Sequence, residues 1–249
     1  MRFQGKVALI TGAGSGFGEV SARRFVQEGG RVIIAEMNAA AGERVASELG
    51  AAACFIRTDV TVDDQFEAAV RAATSTFGRL DVLVNNAGVS HDLKPFEQIS
   101  SAEFDRVFAV NVRAIMRGSA FALPALKAAG GGAVINICSV GGIRIRPNLA
   151  AYNVSKAAAI AMTKALALEM APYKIRVCGI NPTLAETGLT ATFVGSEFDD
   201  AKKRAFESGV PLGRMATAND VANAVLFLAS DDAGMTTGSC IDVDGGRGL

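Results

Sequence analysis

The sequence predicts an α/β fold in which a parallel sheet of seven strands carries helices on both faces. Two observations lead there. Short β-rich apolar runs alternate with longer segments of helical spacing almost from end to end, the pattern that gives parallel strands joined by crossover helices. Runs such as Val82-Leu83-Val84 are apolar without alternation, as strands covered on both faces require.

The first strand is expected at Lys6–Thr11. Arg2 and Lys6 ahead of an apolar run suggest a leader peptide, but Val7–Ile10 is too short and ends in a Gly-rich turn. Further strands are expected at Arg31–Glu36, Ala52–Thr58, Leu80–Asn85, Ala133–Ile137 and Arg176–Ile180, with a short last one at Cys240–Val243. Between them Phe17–Gln27, Ala39–Leu49, Val62–Thr76, Ala102–Lys127, Ala151–Met170 and Ala218–Leu228 repeat apolar residues near the helical period. No Pro/Ser-rich linker and no repeat divides the chain, so its 249 residues read as one domain. From Asn181 to Gly213 the pattern loosens, with Leu184, Leu189, Phe193, Val194, Phe198 and Phe206 scattered among Thr, Gly and acidic residues. Such a stretch, about 183–212, reads as a substrate lid, with an ordinary helical excursion on the sheet edge as the alternative.

Composition narrows the function. With 50% apolar and 20% charged residues the chain builds a sizeable core, and its net charge of zero leaves no electrostatic footprint for nucleic acid or an anionic membrane. No apolar run approaches the roughly 20 residues that span a bilayer. Cys54, Cys138, Cys178 and Cys240 form no CxxC pair and read as buried thiols of a reducing, cytoplasmic compartment. A single histidine, His91, argues against a histidine-based zinc site, and no metal is expected.

The chemistry begins after the first strand. Thr11-Gly12-Ala13-Gly14-Ser15-Gly16-Phe17-Gly18 leads straight into a helix, where glycines allow a tight turn and let a pyrophosphate approach the helix N-terminus. The spacing departs from GxGxxG, because Phe17 stands where the third glycine belongs. Glu36 ends the second strand, where a carboxylate accepts hydrogen bonds from an adenosine ribose and repels a 2′-phosphate. No Arg or Lys lies in Gly12–Gly18, and Met37 follows Glu36, so NAD is favoured over NADP.

Tyr152 and Lys156 share one face of a predicted helix. An ammonium beside a phenol lowers the phenol's pKa from about 10, as a general base for an alcohol needs; the neutral phenol serves as acid for a ketone. Ser139, just past a strand, is placed to hydrogen-bond the substrate oxygen.

Together these residues resemble the short-chain dehydrogenase/reductase family over essentially the whole chain. The resemblance rests on Thr11–Gly18, Asp59, Asn85-Asn86-Ala87-Gly88, Asn111, Ser139, Tyr152-x-x-x-Lys156, Asn181-Pro182 and the ending Asp242-Val243-Asp244-Gly245-Gly246. It implies a single-domain Rossmann fold, and a homotetramer built on the two long helices and the last strand. It also implies roles for Asn111, Ser139, Tyr152 and Lys156 as the catalytic set, with Asn111 holding a proton-relay water near Lys156. Gly12, Ser15, Gly16, Phe17, Gly18 and Glu36 are then expected at the cofactor, with Asp59 and Val60 at the adenine. Asn86, Ala87, Gly88, Tyr152, Lys156, Pro182 and Thr187 follow toward the nicotinamide. Two departures stand out. Thr183 replaces the family's usual glycine after Pro182, which puts the loop path and Thr187 in question, and Cys178 stands where asparagine is common.

Gly141, Ile145, Leu184, Ser139 and Tyr152 are expected at the substrate, with Ser90, His91 and Ile143 nearby, which suits a mostly apolar ketone or secondary alcohol. Arg144 and Arg146 read either as binders of an anionic substrate or as surface or subunit-interface charges. His91 reads as a solvated loop residue or a donor to substrate. The leading activity is NAD(H)-dependent interconversion of a secondary alcohol and a ketone. The alternatives are an NADPH-dependent 3-oxoacyl-carrier-protein reductase and a non-catalytic dinucleotide-binding regulator. A lyase or epimerase of the extended branch would need a longer C-terminal substrate domain.

Overall fold

The computed structural model describes residues 1–185 and 199–249. The strands are β1 (Val7–Thr11), β2 (Arg31–Glu36), β3 (Ala53–Arg57), β4 (Val82–Asn85), β5 (Gly132–Ile137), β6 (Ile175–Pro182) and β7 (Cys240–Val243). The helices among the described residues are α1 (Gly16–Gln27), α2 (Ala39–Leu49), α3 (Asp63–Phe77), α4 (Ser101–Phe108), α5 (Ala114–Ala128), α6 (Ala150–Met170), α7 (Asp200–Glu207) and α8 (Ala218–Ala229). The strands form one sheet in the order β3-β2-β1-β4-β5-β6-β7, and every pairing is parallel. The fold is the Rossmann arrangement the sequence predicts.

Strand periodicity explains the two cores. Ala8, Ile10, Ile34, Val84 and Ile135 point to the face covered by Phe25 of α1 and Val221 and Leu226 of α8. Leu9, Ile33, Leu83 and Val134 point to the other face, against Phe66 of α3, Ala122 of α5 and Met170 of α6. Both sets are buried, so no strand residue of β1 is left for solvent.

Some boundaries move, each for a local reason. The buried Asp81 carboxylate accepts from the Val7 backbone N–H at 3.0 Å, so β1 and β4 begin just past Lys6 and Asp81. The single helix expected over Ala102–Lys127 is α4 and α5 joined by a π-helical turn, Ala109–Arg113. That turn contains neither Gly nor Pro, so nothing in the apolar spacing announces it. Ser100 and Glu103 close a capping box at the start of α4, and Thr217 and Asp220 another at the start of α8.

The loosely patterned stretch is helical at α7, capped by Asp199, and none of the residues of α7 is buried. Thr187, Leu189, Phe193, Val194 and Phe198 lie outside the described residues. Thr183 shows no positive φ, so the strain expected of a threonine at a glycine position is absent. Its N–H donates to the Val243 carbonyl at 3.2 Å, and Ala185 bridges to Ala216. Among the described residues no helix is long and apolar enough to cross a membrane, and no cluster of metal-ligating side chains occurs.

Chain winding reverses between β1 and β4, and α/β sheets open a crevice at the carboxyl ends of such strands. Both strands run directly into residues that line the cavity described next, Gly12 after β1 and Asn86 after β4.

Candidate active site

A cavity of about 610 Å³ runs across the carboxyl edge of the sheet, from Glu36 at one end past Gly12–Phe17 and Asn86–Val89 to Ser139 and Tyr152 at the other. Its first wall is the glycine loop. Gly12 and Gly16 have φ of 62° and 54°, which a side chain would strain. Ser15 is the N-cap of α1 but makes no side-chain capping bond, so the first-turn amides stay available. Asn86 fastens the loop to β4, donating from Nδ2 to the carbonyls of Thr11 at 2.8 Å and Gly12 at 3.1 Å. Thr11 Oγ1 accepts in turn from the N–H groups of Asn86 and Ala87.

Gly18 does not line the cavity. A Cβ there would collide with the Gly12 carbonyl oxygen and come within 2.5 Å of Asn86 Nδ2. Gly18 is therefore the close-packing glycine, which corrects its placement at the cofactor and supplies what GxGxxG spacing assigns to a third glycine.

The Glu36 carboxylate is held at the cavity wall by two backbone donors, Gly14 N–H to Oε2 and Asn38 N–H to Oε1, both at 3.0 Å. Arg44, outside the loop, donates to the Gly14 carbonyl at 3.0 Å, a basic group the local sequence does not announce. Its charge is paired with Glu19 and Glu48. Thr58, Asp59 and Val60 form the adjoining wall, with Asp59 Oδ1 accepting from the N–H and hydroxyl of Thr61.

At the far end Ser139, in extended backbone after β5, accepts from the Gly141 N–H at 3.0 Å. The buried phenol of Tyr152 is hydrogen-bonded to the Ser139 hydroxyl. Lys156, one turn on, donates from Nζ to the Ile137 carbonyl at 2.8 Å and stands 5.9 Å from the centre of the Tyr152 ring.

The family model described as enoyl-(acyl carrier protein) reductase matches residues 12–247, a span containing all the cavity-lining groups named above. The chain belongs to the short-chain dehydrogenase/reductase family. Among its relatives are 4-formylbenzenesulfonate dehydrogenase of Comamonas testosteroni, 43% identical over 100% of both chains, and cyclohexanol dehydrogenase of an Acinetobacter species, 37% identical over 98% of this chain and 95% of the relative. Among solved structures, a 3-ketoacyl-(acyl-carrier-protein) reductase from Brucella melitensis complexed with NADH superposes with a TM-score of 0.93, at 44% identity and 99% coverage of both chains. This short-chain dehydrogenase/reductase is an oxidoreductase of alcohol and ketone groups that uses a nicotinamide dinucleotide.

Several expectations need correction. Burial pushes the Tyr152 phenol up to about 12, opposed by the Ser139 bond, and pushes Lys156 down to about 8. Lys156 thus does not by itself lower the phenol, because its head is anchored on Ile137. Asn111 lies in the π-helical turn, where Oδ1 accepts from Val89 N–H and Nδ2 donates to the Val89 carbonyl and Ser155 Oγ. These bonds clamp the 86–89 loop to α6. Ile145 and Ile143 face outward, 62% and 52% exposed, because the 143–146 turn carries their side chains away from the cavity. Gly141 and Leu184 do line it.

His91 is buried, not solvated; its Nδ1 meets the Asp92 carbonyl and its Nε2 has no partner among the described residues. Cys178 is buried as expected, its thiol pushed up by desolvation, whereas Cys54 and Cys240 are only partly buried. Cys138 and Cys240, distant in sequence, share a hydrogen bond over the bare Cα of Gly179. Sequence reading missed Val89, Asn153 and Arg247 as wall residues, whereas Phe206, from the apolar stretch read as a substrate lid, does line the cavity. Val89 and Asn153 adjoin recognised motifs and were findable; Arg247 arrives only through the tertiary path of the chain.

The depressed Lys156 pKa has a stability consequence. Below about pH 8 the folded protein holds a buried ammonium, at a cost on the order of 3 kcal/mol relative to an unfolded Lys. Between about 8 and 10.5 the unfolded chain binds the extra proton, so stability rises with pH there. Lys156→Met removes this cost and gives up one hydrogen bond of about 1 kcal/mol. The variant is expected to unfold some 2–6 °C higher at pH 7, with the advantage shrinking by pH 9.5. Thermal scans of both proteins at the two pH values check this, and equal midpoints at pH 7 would contradict it.

Proposed function

We propose that this protein is an NAD(H)-dependent dehydrogenase that interconverts a secondary alcohol and a ketone, with Tyr152 as the group that exchanges the proton. The observation that carries the reading is one continuous cavity with a pinned carboxylate, Glu36, at one end and the hydrogen-bonded pair Ser139–Tyr152 at the other. The positive-φ glycines, the available first-turn amides of α1 and the Glu36 acceptor fit a dinucleotide lying between them. Bound there, the nicotinamide supplies or accepts the hydride.

The chain's own groups do the rest. Ser139 holds the substrate oxygen beside the phenol. For a ketone, the protonated Tyr152 donates to the oxygen as it gains charge; for an alcohol, the phenolate takes the hydroxyl proton. Lys156, held on the Ile137 carbonyl beside the phenol, carries its positive charge below about pH 8. Val89, Val140 and Leu149 keep the site dry, so these interactions act at low dielectric. Pro182 and Leu184 begin the wall that we assign to a substrate loop spanning about 183–212.

Glu36 supports NAD over NADP, because a 2′-phosphate would meet a carboxylate that two amides prevent from swinging away. Glu36→Gln is expected to raise the NADP(H) to NAD(H) ratio of kcat/KM about 30-fold, corresponding to about 2 kcal/mol of relieved repulsion. Initial rates with both cofactors, across aryl ketones, diketones and β-ketoesters and their alcohols, measure it. Wild-type preference for NADP(H) would overturn the cofactor reading, and absence of turnover on every substrate would leave a dinucleotide-binding protein. We further propose a cytoplasmic homotetramer, supported by Met116 and Leu168, exposed at 43% and 81% on the two long helices, and by the open edge of β7.

A further inference from the structure

Three guanidinium groups converge on the substrate end of the cavity. Arg144 and Arg146 come from the turn between Ser139 and α6, and Arg247 comes from the tail beyond β7. The tail is built to deliver Arg247. Gly245 and Gly246 take φ of 66° and 86°, and the buried Asp244 carboxylate accepts from the N–H groups of Gly246 and Gly248 to close the turn. The Arg247 guanidinium then lies 3.9 Å from the centre of the Phe206 ring and donates to the Phe206 carbonyl at 3.0 Å. Gly209 leaves the room, since a Cβ there would stand 2.6 Å from the same nitrogen. Arg144 donates to the Arg247 carbonyl and ties the tail to the turn, and Asn153 holds that turn through the Arg146 carbonyl at 2.7 Å.

None of the three arginines has a carboxylate partner among the described residues. Asp244, the nearest acid in sequence to Arg247, is occupied by the tail amides. Burial and the positive charges of Arg146 and Arg144 hold Arg247 below its usual range, and Arg146 is close enough to act on the Tyr152 phenol. A surface arginine escapes such crowding by extending into water. Arg247 is held in it by a glycine-made seat.

We propose that Arg144, Arg146 and Arg247 form an anion seat, so that the substrate is an alcohol or ketone whose apolar body carries a carboxylate or sulfonate away from the reacting carbon. This rests on the assignment of Ser139 and Tyr152 as the reacting end. It takes the anion-binding alternative for Arg144 and Arg146 and adds Arg247 as the specificity-determining residue. Guanidinium forks pair two N–H groups with two oxygens of either anion, which a lysine's single ammonium does not.

The test uses enzyme loaded with NADH and two matched ketones, 4-acetylbenzoate and its neutral methyl ester. The wild type is expected to favour the acid at least tenfold in kcat/KM at low ionic strength, and the ratio is expected to fall about tenfold in Arg247→Gln and in Arg146→Gln. The second variant is included because the Arg146 side chain makes no bond that holds the tail. Arg146→Lys is expected to recover only part of the ratio. An acid-to-ester ratio near one in the wild type, or one unmoved by both Gln variants, overturns the proposal. If neither ketone turns over, the assignment of the reacting end fails, and calorimetric binding of 4-methylbenzoate against 4-methylbenzamide decides the seat separately. Binding of the benzoate that is lost in Arg247→Gln supports the seat; equal binding of acid and amide removes it.

Discussion

Tyr152→Phe is expected to lower kcat by about 10³-fold, within the range that positioned general acids and bases contribute, while dinucleotide affinity stays within about threefold. The substitution deletes one oxygen from a buried ring and leaves Ser139 and Lys156 in place. With its phenol pushed up to about 12, Tyr152 is protonated at neutral pH and ready to donate to a ketone. Alcohol oxidation needs the phenolate and so climbs with pH in the wild type; that climb is expected to vanish in the variant. Stopped-flow rates in both directions, with cofactor binding followed by NADH fluorescence, check it. Residual activity above a tenth of wild type would move the proton transfer to another group.

Gly18→Ala is expected to weaken dinucleotide binding at least tenfold and to lower the unfolding temperature by several degrees. An alanine inside a helix ordinarily stabilises by about 0.5–1 kcal/mol, so the sign is informative. Here the added carbon meets the Gly12 carbonyl and Asn86 Nδ2. Neither can retreat, because Asn86 Nδ2 is bonded to that carbonyl and to Thr11. Overpacking of this kind costs about 1–3 kcal/mol, and relief requires moving the loop whose shape the phosphate site needs. A raised unfolding temperature with unchanged NAD affinity would show that space exists at Gly18.

Residues whose role depends on local order were legible. Apolar strands, Glu36 at the end of β2, and Tyr152 with Lys156 one turn apart all follow from short-range pattern, and the structure brings them to one cavity. Features set by tertiary path were not. The π-helical turn at Ala109–Arg113 sits within uninterrupted helical spacing, and the burial of His91 depends on the segments folded over it. Ile145, expected at the substrate for its apolar character, faces out, while Arg247, which no motif singled out, lines the cavity. Composition carries no information about where a turn directs a side chain.

The wider turn has a consequence of its own. An α-helix advances by a fixed angle per residue, so two segments of one continuous helix cannot choose their orientations separately. Here α5 must present Gly118 to the Phe66 ring, which occupies the volume a Cβ would fill, and α4 must lie against α6. The π-helical turn resets the phase between these two demands. Asn111 stands at the reset, bonded to Val89 on one side and Ser155 on the other. The seam therefore acts as a spacer: it isolates the packing of the α5 half from adjustments on the α4 half, where the chain arrives from the substrate side.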